Sequence, residues 1–174
     1  EPYYIKAPGV TRTKSVSDTP VTGTDFYPTI LELAGIPLKP KQHIDGVSLL
    51  PLLKGKSLAE RDLYWHYPHY GNQGGEPCAI IRSSNWKLIH YFEDGRNELY
   101  DIRADIGEQT DQLKSNPQTA QELMARLDNW LKETGALIPQ KDDRFDPAKK
   151  KQQIEHQQTT RLKALEQSHA RYFK

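Results

Sequence analysis

The chain has 174 residues, of which 36% are hydrophobic and 27% charged, with a formal net charge of +1. That length suits one domain of ordinary size, or one domain and a tail. The near-neutral balance argues against a nucleic-acid binder, and no apolar run is long enough to cross a bilayer.

The opening EPYYIK has no apolar leader core, which leaves the compartment open. Tyr3 to Lys6 reads as a short strand stopped by Pro8-Gly9, and the polar stretch Thr11 to Pro20 reads as loop. A strand so near the start is an orphan unless other chain pairs with it. A helix follows. Thr24 is its expected N-cap, and Asp25 suits the positive end of its dipole. Pro28 is tolerable because it lies in the first turn, and Gly35 is the stop. Phe26, Ile30, Leu31, Leu33 and Ala34 supply the apolar face. After a loop, Ser48 to Gly55 reads as a short helix with Pro51 in its first turn. Ser57 and Glu60 have capping-box spacing.

Asp62 to Tyr67, Cys78 to Arg82, Trp86 to Phe92 and Asn97 to Ile102 read as strands. Ser83 to Asn85 joins the second and third as a tight hairpin, and Asp94-Gly95 signals the next. The clearest helix is Asn116 to Thr134. Pro117 sits at its first position, and Ala120, Leu123, Met124, Leu127, Trp130 and Leu131 recur at helical spacing. Lys141 to Lys174 is polar with few apolar positions, and reads as a helical tail with a weak face. The expected fold is α+β: an antiparallel sheet of about four strands covered by one long helix. No internal repeat is visible.

No complete catalytic set can be assembled from these residues: there is no G-x-S-x-G elbow, phosphate-cradling glycine loop or H-E-x-x-H helix. Cys78 is the only cysteine, which excludes an internal disulfide and a cysteine-based zinc site. Beside Ala79 and Ile80 it reads as a small buried hydrophobe. Asp18, Asp25 and Asp45 sit at turns or helix starts, where carboxylates usually cap backbone N–H groups. The densest chemistry is Leu63 to Tyr70, which holds His66, His69 and four aromatic residues and leads into a glycine-rich loop. Each histidine is either a half-buried member of an aromatic cluster or a donor to a sugar hydroxyl or anionic group. Pro68 holds the chain extended between them and sends the two rings in different directions. Tyr70, Asn72 and Gln73 add donors and acceptors, and His43 is a loop residue or a further contact. Arg82 and Lys87 read as charges on the solvent face of the sheet. His90, His156 and His169 carry no functional expectation.

Four segments in this order resemble the C-terminal part of type I sulfatases, the arylsulfatase-like branch of the alkaline phosphatase superfamily. EPYYIKAPGV resembles the family's strand before P-G-V. VSDTPVTGTDFYPTILELAGI resembles its T-D-aromatic-P-T helix, and HIDGVSLLPLLKG its D-G-x-S-L-x-P-L-L-x-G segment. Ile80 to Leu113 resembles its C-terminal sheet, ending in L-Y-D-x-x-x-D-x-x-E. The resemblance covers about residues 1–140 and not the tail.

It implies a division into 1–60, the end of a large α/β domain; 61–140, a C-terminal sheet-and-helix subdomain; and 141–174, a polar tail. It also implies sulfate ester hydrolysis, on a carbohydrate, by a missing N-terminal catalytic domain. That domain would hold a calcium ion and a formylglycine made from Cys or Ser in C/S-x-P-x-R. Cys78 is followed by Ala79 and Ile80, so neither the nucleophile nor any cofactor carries over to this chain. The expected partners are that missing domain and a sulfated small molecule or glycan, in a periplasmic, extracellular or lysosomal setting. The role implied here is leaving-group-side substrate contact by His66, His69, Tyr70, Asn72, Gln73 and His43. The fragment alone is expected to be inactive, with apolar surface exposed over its first 60 or so residues. Two alternatives stand beside this reading: a phosphodiesterase or phosphonate hydrolase of the same superfamily, and a non-catalytic glycan-binding module.

Overall fold

A computed structural model of the chain describes residues 2–71, 75–140 and 142–172. Its centre is a four-stranded antiparallel meander in the order β1 (Leu63–Tyr67), β2 (Cys78–Ser83), β3 (Trp86–Tyr91) and β4 (Asn97–Asp101). Two earlier helices, α1 (Phe26–Leu33) and α2 (Leu50–Leu53), precede it, and the long α3 (Pro117–Glu133) follows. The fold is therefore α+β, with one long helix covering the sheet.

Register explains which residues face that helix. Ala79 pairs with His66 and His90, and Ile81 with Tyr64 and Leu88. Leu88 pairs in turn with Leu99. Side chains alternate across a strand, so all of these share one face. On α3 the stripe Ala120, Leu123, Leu127 and Leu131 recurs every three to four residues and meets Ala79, Ile81, Leu88 and Leu99 in one buried core. Trp130 lies flat on Tyr64 at a centroid distance of 4.8 Å. Arg126 reaches from the helix to Asp62 and to the Ser83 hydroxyl, tying it to both strands at one end of the β1–β2 pair. The opposite face carries a smaller cluster: Ile89, Tyr100 and Ile102, with Cys78, Ile80 and Tyr91 beside them.

The turns follow their sequence signals. Ser84 adopts φ 50° in the two-residue β2–β3 connection, and Gly95 takes φ 73° in the β3–β4 loop. The outer margin of β4 is capped by the chain that follows it. Leu99 donates its N–H to Asp111 Oδ1 at 3.0 Å and accepts from Gln112 N–H at 2.7 Å, and Asp101 O accepts from Asp105 N–H at 2.8 Å.

Several sequence expectations are corrected. Tyr3 to Lys6 is not a strand. The Tyr3 ring stacks on Phe26 at 4.8 Å, and the following Ala7 carbonyl closes a turn on Val10 and Thr11 N–H, so this segment has no ladder partner. Thr24 is not the N-cap of α1. Gly23–Asp25 forms a 3-10 turn entered from Thr22, and that turn leads into α1. Ser57 and Glu60 start no helix; the chain runs irregularly from Gly55 to β1. Arg82 and Lys87 are half-buried rather than solvent-facing, and Lys87 Nζ pairs with Glu108 at 2.7 Å.

Asp25 organises the N-terminal segment. Its side chain is fully buried. Oδ2 accepts Thr22 N–H at 2.8 Å, Oδ1 accepts Val47 N–H at 2.9 Å, and Arg61 closes both oxygens in a fork at 2.8 and 2.5 Å. Gly46, just before Val47, passes so close to the turn that a Cβ there would lie 2.1 Å from Thr24 O. Only a residue without a side chain fits.

Burial pushes the Asp25 carboxyl up, but the Arg61 hydrogen bonds, the two backbone donors and the guanidinium charge bring it net below the ordinary aspartate value. A depressed folded-state value stabilises the fold above the unfolded-state value of about 3.9, and that contribution disappears as pH falls through the lower folded value. Urea midpoints should therefore drop in strong acid. Asp25→Ala should cost about 3 kcal/mol at neutral pH and flatten that acid limb. Leu127→Ala, at the centre of the fully buried core, should cost about 3 kcal/mol by the same measurement.

Candidate functional site

The exposed chemistry of the sheet gathers where β1 runs out and the β3–β4 loop comes alongside. β1 alternates as its sequence suggests: Leu63 is buried, Tyr64 and His66 half-buried, Trp65 and Tyr67 exposed. His66 lies on the helix-covered face. Its ring stands edge-on to Phe92 at 5.5 Å, and its Nε2 is 3.0 Å from the Leu137 carbonyl oxygen. A carbonyl only accepts, so Nε2 carries the proton and His66 staples β1 to the chain just after α3. His66 Nδ1 is buried with no partner among the described residues.

Past the strand, Pro68 turns the chain outward. The exposed His69 ring stands edge-on to Tyr67 at 5.7 Å, away from the contacts of His66. Exposed Tyr70 donates its hydroxyl to Glu93 Oε2 at 2.9 Å. Burial and the Glu93 carboxylate raise the Tyr70 phenol, which stays a neutral donor at neutral pH. The structure thus brings Tyr67, His69, Tyr70 and Glu93 to one end of the sheet. His43 belongs elsewhere: its ring faces Tyr27 at 6.3 Å, and Nδ1 donates to Gly46 O at 3.2 Å, within the α1–α2 segment. Asn72 and Gln73 lie outside the described residues.

Charges that sequence reasoning passed over surround this end. Arg96 bridges Glu76, Asp94 and Glu98, and its guanidinium lies 3.7 Å above the Tyr91 ring. Tyr91 and Tyr100 both donate to Glu98 Oε2 at 3.0 Å. Burial, then the hydrogen bond and charge of Glu98, push both phenols up to about 12. Lys150, from the tail helix, chelates Glu93. The E-D-G-R run around the second hairpin was a signal for this network, whereas its tail member was not legible.

Burial raises the Cys78 thiol, which disfavours the thiolate. Among the described residues no group of three or more His, Cys, Asp and Glu side chains is placed to hold a metal ion. What the arrangement offers is recognition: exposed rings, an imidazole and a phenol on a loop anchored to a rigid sheet.

Comparison with known proteins gives this region its context. The family described as N-sulphoglucosamine sulphohydrolase, C-terminal, matches residues 1–136. A sulfatase of Formosa agariphila is 36% identical over 143 residues, which cover 75% of this chain and 26% of that protein. A Delta 4,5-hexuronate-2-O-sulfatase of Bacteroides thetaiotaomicron is 30% identical over 139 residues, covering 75% of this chain and 28% of its own length. A solved structure in complex with its substrate, D-glucosamine-2-N,6-O-disulfate, superposes with a TM-score of 0.53 at 32% identity, over 62% of this chain and 23% of that one. The chain spans about a quarter of the length of the curated relatives it matches.

His66→Ala should lower stability by about 1–2 kcal/mol in urea titrations, through loss of the Phe92 contact and the Leu137 hydrogen bond. His69→Ala, at an exposed position, should move the midpoint by less than about 0.5 kcal/mol.

Residues 1–136, matched over most of the chain and in the order the motifs require, place this protein in the sulfatase family, as its N-sulphoglucosamine sulphohydrolase-type C-terminal region.

Proposed function

We propose that the chain is the C-terminal portion of a sulfatase that hydrolyses sulfate esters of a carbohydrate. In this reading it supplies packing and leaving-group-side contacts, while the sulfate chemistry belongs to the part of the protein that carries the nucleophile. One observation carries it above the others: the family match runs unbroken from the α1 segment through the sheet to the end of α3. Two of the relatives are named for sulfated sugars, a hexuronate and a glucosamine, which supports a carbohydrate substrate.

The proposed division is 1–60 with the large α/β domain, 61–140 as the C-terminal subdomain and 141–174 as the tail. Exposed apolar residues crowd the first part, with Tyr4, Val16, Ile30 and Ile44 all more than half exposed. Patches of this kind mark surfaces that other protein covers. Calcium and formylglycine would reside in the catalytic part, and a periplasmic, extracellular or lysosomal location accords with the family. Among the described residues no helix is long and apolar enough to cross a membrane.

Within this reading His69 and Tyr70 are the substrate contacts, with Asn72 and Gln73 assigned to the same loop from sequence. His66 fixes the base of that loop, since its Nε2 proton is already committed to Leu137. His43 stands apart from the loop and is assigned no direct contact.

The test is the full-length protein assayed on 4-nitrophenyl sulfate, on O-sulfated glucosamine and on a phosphonate monoester. Sulfate release, with His69→Ala raising KM for the sugar more than for the aryl ester, is the expected outcome. Phosphonate turnover without sulfate release would overturn it.

A further inference from the structure

The residues after 136 lie outside the family match, yet besides the Leu137 carbonyl on His66 a side chain of the tail reaches the candidate site. Asp146 accepts the N–H groups of Ala148 and Lys149 at 2.9 and 3.2 Å and so starts α4 (Pro147–His156). A π-helical stretch, Gln157–Arg161, then leads into α5 (Leu162–Ala170). This helical tail is solvent-exposed along its described length, except at Lys150. Of the three consecutive lysines 149–151, only Lys150 turns toward the sheet.

There its Nζ contacts both oxygens of Glu93, at 2.5 and 2.6 Å, and lies 3.8 Å from Glu76. The Tyr70 and Phe145 rings stand 5.4 and 5.8 Å away, within cation–π range. Glu93 is the same carboxylate that accepts the Tyr70 hydroxyl. An isolated surface ion pair does little. Here one carboxylate is shared by an ammonium and a phenol, and the ammonium also lies against two rings. Moving one member removes a fixed partner of the next.

We propose that Lys150 is a positioning residue: it holds Glu93, and through Glu93 fixes the Tyr70 hydroxyl in the orientation that meets the substrate. The inference rests on the reading of Tyr70 as a substrate contact, and gives the tail a task in the site. Without Lys150, Glu93 regains its rotamers and the phenol loses a fixed acceptor. An arginine, with similar reach and the same charge, preserves the contact.

The experiment uses the full-length protein with Lys150→Ala, Lys150→Arg and Tyr70→Phe, an O-sulfated glucosamine as probe, and amide hydrogen exchange read from Trp65 to Gly71. Lys150→Ala should raise KM about threefold at unchanged kcat and speed exchange in that segment about two- to fivefold, and Lys150→Arg should restore both. Unchanged exchange in Lys150→Ala overturns the inference, whatever Tyr70→Phe does. Faster exchange with KM unmoved in both Lys150→Ala and Tyr70→Phe instead overturns the substrate reading of Tyr70, and with it the positioning role.

Discussion

A carboxylate sealed from water has to be met by donors, and the N-terminal third of this chain is arranged around that requirement. Asp25 takes hydrogen bonds from Thr22, from Val47 and from both terminal nitrogens of Arg61. Those donors come from the turn before α1, the loop before α2 and the approach to β1. Three stretches with little apolar mass between them are thereby fixed relative to the sheet. An unpaired buried charge would be far more costly than a buried hydrophobe of the same size, so the contact is all or nothing. The close pass of Gly46 under Thr24 is the steric counterpart of this electrostatic knot.

The sheet and α3 were legible because their signals are periodic and local. Short apolar runs rich in β-formers in Cys78 to Ser83 and Trp86 to Tyr91, turn residues between them, and a leucine stripe with Pro117 at its head leave little choice of structure. Tyr3 to Lys6 misled because strand composition says nothing about a partner; its aromatic ring found Phe26 instead. Thr24 misled by two residues because a 3-10 turn precedes α1, and a capping residue looks the same before either kind of helix. Arg82 and Lys87 misled because exposure is only the default for charge, and Glu108 waits 21 residues away to meet Lys87.

The site divides along the same line. The sequence marked the histidine-aromatic run, but could not say that His66 turns inward to Leu137 while His69 and Tyr70 stay out. Those outcomes depend on contacts 71 and 23 residues distant in the chain. Lys150 was illegible for the same reason. It sits in a run of three lysines, and no pattern within that run distinguishes the one that reaches Glu93, 57 residues back. Residues whose contacts lie with distant partners are the ones a linear reading misses, and in this molecule they cluster around the loop that follows β1.

The margins of the sheet are unequal. Along β4, Asp111, Gln112 and Asp105 occupy the outward backbone groups of Leu99 and Asp101. Along β1, the described residues make no such bonds beyond the ladder to β2. Growth of this sheet by an added strand is therefore directional, with a closed end and an accepting end. The accepting end is five residues long, bears exposed Trp65 and Tyr67, and stops at Pro68, which has no N–H to offer. A self-templating stack needs two accepting edges per molecule. Among the described residues only the short β1 edge is open to such pairing, so the described part of the sheet does not offer both.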